Sequence, residues 1–96
     1  MYDISILIAN YNSSDLIRET LLSLLECDLN NDCVSIIDNE SDDGSFELAR
    51  NILGDFKAKT VFIREKDHGI YDAINKGIKS TNSRYVVILH AGDTIK

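Results

Sequence analysis

Three polar or aromatic clusters, each trailing a short apolar run, hold the residues of this sequence best suited to chemistry. Tyr11 comes just after "ISILIA" (Ile4 to Ala9) and can offer a ring face to a base. Asp38 closes the run "CVSIID", where a carboxylate can accept from a ribose hydroxyl or a base N–H; it can equally cap a helix. Asn39 can donate to one base carbonyl while accepting from a base N–H. Asp93 follows "YVVIL" (Tyr85 to Leu89) and can bind Mg²⁺ or Mn²⁺, which in turn grips a diphosphate; it can equally be a solvated polar residue. His90 beside Asp93 suggests a metal pair, although two ligands define no geometry. His68 reads as a loop residue.

Other chemistries are excluded by what is missing. No G-x-G-x-x-G follows the first apolar run, which continues "ANYNSS", and no G-x-x-x-x-G-K-[ST] occurs anywhere. Phosphates are therefore not held by a glycine-rich helix start, and a divalent metal on a carboxylate is the device expected instead. No G-x-S-x-G elbow is present for a hydrolase triad. The net charge of −6 argues against a nucleic-acid backbone as partner. Cys27 and Cys33 are the only cysteines; they read as free thiols, and two ligands at that spacing make no zinc site.

Regular elements must hold these residues together. Four strand-like runs are expected at Ile4–Ala9, Cys33–Asp38, Thr60–Arg64 and Tyr85–Leu89. Between them lie three helical patterns. "NSSD" (Asn12 to Asp15) offers caps to the first, whose apolar stripe is Ile17, Leu21, Leu24 and Leu25. Asp42 or Asp43 can cap the second, which turns Phe46, Ala49, Ile52 and Leu53 inward and stops at Gly54 as a C′ glycine. The third spans Ile70–Ser80. The β-α-β-α-β-α-β pattern predicts an α/β fold, three-layer and Rossmann-like, with a four-stranded parallel sheet; the order 3-2-1-4 with helices on both faces is expected. Ligands of such sheets bind beyond the carboxyl ends of the strands where the order reverses, between strands 1 and 4. Tyr11, Asp38, Asn39, His90 and Asp93 all collect at that edge.

The 96 residues suit one small domain with one core, and 44% hydrophobic with 27% charged is an ordinary globular composition. "MYDISILIAN" has no basic n-region or cleavage site, and no apolar run is long enough to span a bilayer. A soluble, cytoplasmic protein is expected, with no integral membrane segment and with a peripheral place at the inner face of a membrane, through partners, as an alternative.

Taken in order, these blocks resemble the N-terminal half of glycosyltransferase family 2, the GT-A type that uses nucleotide-sugar donors. "IANYNSSDLIRETLLSLL" resembles the opening strand and T-Y-N or S-Y-N block, with Ala9 where Thr or Ser is common. "IIDNESDDGS" resembles the D-D-G-S-x-D-G-[ST] block: Asp38 keeps the first aspartate, Asn39 replaces the second and Glu40 replaces the glycine. "DHGIYDAINKG" nearly repeats D-x-G-x-Y-D-A-M-N-K-G and is the most specific match. "HAGD" stands at the metal motif, otherwise D-x-D, N-A-G-D or N-S-D-D, with His90 at the usual Asn or Asp and Asp93 at the metal ligand.

The resemblance implies a sugar transferred from a nucleotide diphosphate donor, with a UDP-sugar expected, to a saccharide or lipid-linked acceptor. It implies nucleotide-sugar contacts at Ala9, Tyr11, Asp38, Asn39, Asp67 and Asp72, and a divalent metal, Mn²⁺ or Mg²⁺, on Asp93 with His90 as a possible second ligand. It also implies that residues 1–96 are the donor half, with the acceptor half absent and the general base expected beyond residue 96. The chain alone is then not expected to transfer sugar at a normal rate. The outer edge of strand 4 would be bare, and self-association through it is expected. The alternative is a non-catalytic or degenerate nucleotide-binding module. A flavodoxin-like receiver domain fits less well, because Asn10-Tyr11-Asn12 supplies no acid after strand 1 and no fifth strand follows.

Overall fold

The structure, a computed structural model, describes residues 2–27, 31–54, 56, 59–64, 66, 75, 78 and 83–93. Its elements run β1 (Tyr2–Asn10), α1 (Ser14–Leu25), β2 (Asp32–Asp38), α2 (Ser45–Leu53), β3 (Lys59–Arg64) and β4 (Ser83–His90). The four strands form one sheet in the order β3-β2-β1-β4, and every pairing is parallel, as the sequence pattern predicts. The register places Asn10 opposite Asp38 and Asp38 opposite Arg64, while Ala9 lies between Ile37 and His90. The carboxyl ends of all four strands therefore finish along one edge.

Side chains alternate across a strand, so Ile6 and Ile8 share a face with their register partners Val34 and Ile36. Helices α1 and α2 both pack on that face, where Ile17, Leu21 and Leu24 meet Ala49 and Leu53 in one buried cluster. Leu7 and Ile37 on the opposite face are buried as well, at 2% and 1% exposure. This two-sided burial explains why β1 and β2 read as continuous apolar runs, each large aliphatic contributing about 1.5–3 kcal/mol on burial. The helix expected over residues 70–80 lies outside the described residues, apart from Asn75 and Ile78, which are helical.

The helix ends differ in detail from expectation. Ser13 is the N-cap of α1 but makes no side-chain cap bond; its hydroxyl donates to the Tyr11 carbonyl at 2.8 Å. Gly44, at φ +83°, is the N-cap of α2 and has no side chain to offer. Asp43 serves both helices instead. Its Oδ2 accepts the Ser14 N–H at 3.0 Å and its Oδ1 the Ser45 N–H at 3.0 Å. Gly54 ends α2 in the right-handed helical region (φ −56°), not as a left-handed C′ residue. Leu25 is 41% exposed rather than part of the buried stripe, which runs through Ile17, Thr20, Leu21 and Leu24.

The two-helix bridge has a pH signature. Hydrogen bonds to Ser45, then the backbone N–H groups of Ser45 and Ser14, hold the Asp43 carboxyl below its usual range against a smaller opposing effect of desolvation. A depressed carboxylate adds stability above its unfolded pKa and loses it as pH falls through the folded value. Asp43→Ala is therefore expected to lower the Tm at pH 7. The gap between variant and wild type should close as the pH falls below the aspartate range, which thermal melts across acid pH will check.

β4 ends the described sheet order on the side of β1, and five consecutive residues on it are exposed: Arg84, Tyr85, Val86, Val87 and Ile88. Among the described residues no helix is long and apolar enough to cross a membrane. Cys27 and Cys33 are free, as expected. Burial pushes the Cys33 thiol up, only partly offset by Ser35 and Lys59, so it stays a protonated, unreactive core residue near neutrality.

Candidate functional site: the carboxyl edge of the sheet

Asp38 is the organising group of this edge, and it is 0% exposed. Its Oδ1 accepts from the Asn10 amide Nδ2 at 2.7 Å and from the Ser41 hydroxyl at 2.7 Å. Its Oδ2 accepts the Ser41 N–H at 2.8 Å, and the Arg64 guanidinium Nε stands 3.8 Å away. Asn10 and Asp38 are adjacent because they are register partners and the last residues of parallel neighbours. The Asn10 Nδ2 also donates to Ser45 Oγ at 2.8 Å, which ties β1 to the start of α2. Arg64 closes the network from β3, donating through Nη2 to the Ser41 carbonyl at 2.8 Å. Its guanidinium lies 5.7 Å from the Phe46 ring centroid, a stacking contact that arginine makes well.

The loops after β1 and β2 are zipped together above this hub. The Asn12 N–H donates to Ser41 Oγ at 2.9 Å, and Asn12 Oδ1 accepts the Asp42 N–H at 2.8 Å. The Asn39 N–H donates to the Asn10 carbonyl at 3.1 Å. An open cleft of about 200 Å³ lies over the two loops, lined by Tyr11, Asn39, Glu40 and Lys66. Tyr11 is 58% exposed there, so its ring face is available for stacking. Asn39 is half-buried at the same cleft. The structure thus brings Tyr11 and Asn39 together at one cleft and sets Asp38 beneath them rather than at the surface.

Glu40 occupies the left-handed region at φ +48°, a conformation that costs an ordinary residue about 1–2 kcal/mol. It is the position where the resembling motif carries glycine, and the turn supplies the reason. Glu40→Gly is expected to raise stability by roughly 0.5–1 kcal/mol after the added unfolded-state freedom of glycine is deducted. A denaturant midpoint shifted upward, with unchanged slope, is the outcome to look for.

On the other side of β1, the turn after β4 presents Asp93. The Asp93 Oδ2 accepts the His90 N–H at 2.9 Å, and the Asp93 N–H donates to the His90 carbonyl at 2.9 Å. Both side chains are exposed. Ala9, half-buried, anchors the turn through its carbonyl, which accepts the Ala91 N–H at 3.4 Å. Among the described residues no group of three His, Cys, Asp or Glu side chains converges to hold a metal. Asp67 and Asp72 lie outside the described residues.

Several contributors carry no functional assignment from the sequence motifs: Asn10, Ser41, Ser45 and Arg64 in the hub, and Lys66 in the cleft. A signal did exist for Asn10 and Arg64. Each is a polar residue closing an apolar strand beside Asp38, where a buried carboxylate must find donors. Ser41 and Ser45 carried no such signal, since their spacing also suits a solvated loop.

Comparison with known proteins places this architecture. The fold is that of the GT-A glycosyltransferases. TarS of S. aureus (residues 1–349) superposes with a TM-score of 0.84 at 22% identity, covering 98% of this chain and 28% of that one. The same TarS fragment has been solved with UDP-GlcNAc. A mannosyltransferase of Pyrobaculum calidifontis, solved with GDP-Man and Mn²⁺, superposes with a TM-score of 0.87 at 23% identity, covering 95% of this chain and 28% of that one.

Residues 5–96 match glycosyl transferase family 2, and the chain belongs to that family. Poly-β-1,6-N-acetyl-D-glucosamine synthase of Staphylococcus epidermidis is 34% identical over 92 residues, and that of Staphylococcus aureus strain MSSA476 is 36% identical over the same length. Both alignments take in 96% of this chain but only 22% of the relative, so the chain spans about a fifth of the length of these proteins. An uncharacterised glycosyltransferase of Haemophilus influenzae is 29% identical, over 37% of its own length.

Proposed function

We propose that this chain binds the donor of a glycosyl transfer, a nucleoside-diphosphate sugar, with a UDP-sugar as the expected donor. The observation that carries the reading is the open cleft at the carboxyl edge, lined by the exposed Tyr11 ring and by Asn39 in the loop after β2. Tyr11 would stack on the base, and Asn39 would pair with one carbonyl and one N–H of uracil. Asp38 would act from below, holding the Asn10 side chain and the Ser41 turn in place. Ala9, Asp67 and Asp72 are assigned to the nucleotide sugar on resemblance. UDP-GlcNAc bound to TarS and the N-acetylglucosamine polymer named in the staphylococcal synthases support a UDP-linked donor.

Asp93 fits a divalent cation as far as one carboxylate can. It is exposed on the same edge, and His90 engages only one of its oxygens, leaving lone pairs for a ligand. Mg²⁺-type sites commonly rest on one or two carboxylates plus substrate phosphates, so a lone Asp93 with His90 beside it is a sufficient protein share. A cation held there would supply charge neutralisation of the diphosphate as it leaves. Acceptor binding, whether of a saccharide or a lipid-linked glycan, and deprotonation of its hydroxyl are assigned to residues outside these 96, and the location to the cytoplasmic side.

Titration of the isotope-labelled chain with UDP, with and without a divalent cation, tests the reading. Shifts at Tyr11, Asp38 and Asn39, with Mn²⁺ broadening centred on Asp93, are expected. A dispersed spectrum that does not respond to UDP would overturn it.

A further inference from the structure

Thr20 sits in the middle of α1, yet it is 0% exposed and carries a hydroxyl among aliphatic side chains. Its Oγ1 accepts the N–H of Gly92 at 2.9 Å, across 72 residues of sequence. Its own hydrogen points back along the helix to the Leu16 carbonyl at 3.5 Å, which leaves a lone pair directed at the turn after β4. Leu16, one turn earlier on α1, lies against the same glycine: a Cβ built on Gly92 would stand 3.6 Å from its side chain. Gly92 has φ +106°, a conformation that L side chains rarely adopt. The next residue is Asp93, whose carboxylate folds back onto the His90 N–H.

From this arrangement we infer that Thr20 is a positioning residue for Asp93: helix α1, through the Thr20 hydroxyl and the Gly92 N–H, sets the turn that presents the Asp93 carboxylate to the metal–diphosphate end of the donor. The inference rests on the donor-site reading above. A four-residue turn has few bonds of its own with which to hold a carboxylate still. The His90–Asp93 pair closes the turn on itself, and the Ala91 N–H to the Ala9 carbonyl is long at 3.4 Å. The Thr20 bond is the short tie from the turn to a rigid element. Because Tyr11 and Asn12 lead directly into α1, the same helix also joins the base end of the cleft to the metal end.

The test uses the full chain as Thr20→Val, which keeps the shape and removes the hydroxyl, and Thr20→Ser, which restores it. Hydrogen exchange at the Gly92 amide reads the bond itself. Mn²⁺ titration in the presence of UDP, followed by broadening at Asp93, reads its consequence. T20V is expected to speed Gly92 exchange and weaken Mn²⁺ association roughly five-fold each, the scale of one net hydrogen bond. T20S should recover both, and UDP shifts at Tyr11 and Asn39 without metal should be the same in all three proteins.

If T20V speeds Gly92 exchange and leaves Mn²⁺ association at the wild-type value, Thr20 only stabilises the fold and the inference is overturned. Unchanged Gly92 exchange overturns it too. Should T20V lose spectral dispersion, Thr20→Ala, a better helix former, takes its place with the same readings. Failure of the underlying donor reading is recognised separately: it shows in the wild type, as UDP shifts or Mn²⁺ broadening that never occur, and the inference falls with it.

Discussion

Asp38→Ala is expected to destabilise this chain by about 3 kcal/mol and to lower its Tm by more than about 10 °C. The effect is large because the substitution does not remove one bond. It leaves the Asn10 amide, the Ser41 hydroxyl and the Ser41 N–H without their acceptor, all within a network that is buried. The Asn10 amide would keep the Ser45 hydroxyl oxygen as an acceptor, but the Ser41 N–H would lose the one given to it. Arg64 would lose its nearest carboxylate while keeping the Ser41 carbonyl. Asp38→Asn should cost less, since one oxygen remains for Asn10 and Ser41 while the new amide nitrogen faces the Ser41 N–H and Arg64. Thermal unfolding of both variants decides the matter. A D38A protein that melts with the wild type would show that the carboxylate is not the hub described. Any loss of UDP binding in D38A must be read after this cost, at a temperature where the variant is folded.

Asp93→Asn is expected to act in the opposite way, leaving stability nearly unchanged and removing the metal-dependent share of nucleotide affinity. Asp93 is exposed, and an asparagine carbonyl can still accept the His90 N–H, so the turn survives. What disappears is the negative charge offered to a cation. A charged interaction of at least about 1.5 kcal/mol corresponds to roughly a tenfold or greater weakening. Calorimetric titration with UDP should therefore show wild type and D93N alike in the presence of EDTA, and separated by that factor with Mg²⁺ added. Equal gains from Mg²⁺ in the two proteins would remove Asp93 from the metal site. The pair of variants separates two carboxylates that the motifs treat alike: one is buried in a hydrogen-bonded network, and the other is exposed at the end of β4 and proposed to face the ligand.

Much of this was legible in the chain. Apolar runs bounded by polar residues located the four strands, their alternation with helical stripes called for parallel pairing, and the expected order 3-2-1-4 is the one observed. Parallel strands share a direction, so their carboxyl ends had to gather at one edge, and Tyr11, Asn39 and Asp93 had to be there. The glycine replaced by Glu40 was visible as a departure, but its meaning needed the backbone angle of +48°.

The sequence alone thus pointed to the parallel α/β sheet and to the edge where its polar strand-end residues gather, because periodicity and strand-end position are local properties of the chain, while its motif blocks carried the family. Only the tertiary structure decided which side chains meet. Asp38 reads identically as a ligand contact or as a buried hub until Asn10, 28 residues away, and Arg64 on β3 are seen to enclose it. Asp43 reads as a cap for the helix that follows it, yet it also takes the first N–H of α1, 29 residues earlier. Thr20 reads as an interruption of an apolar stripe until the Gly92 N–H is found on it. Each of these partnerships joins separate loops or elements, and no local pattern encodes a pairing that exists only once the sheet has brought those elements together.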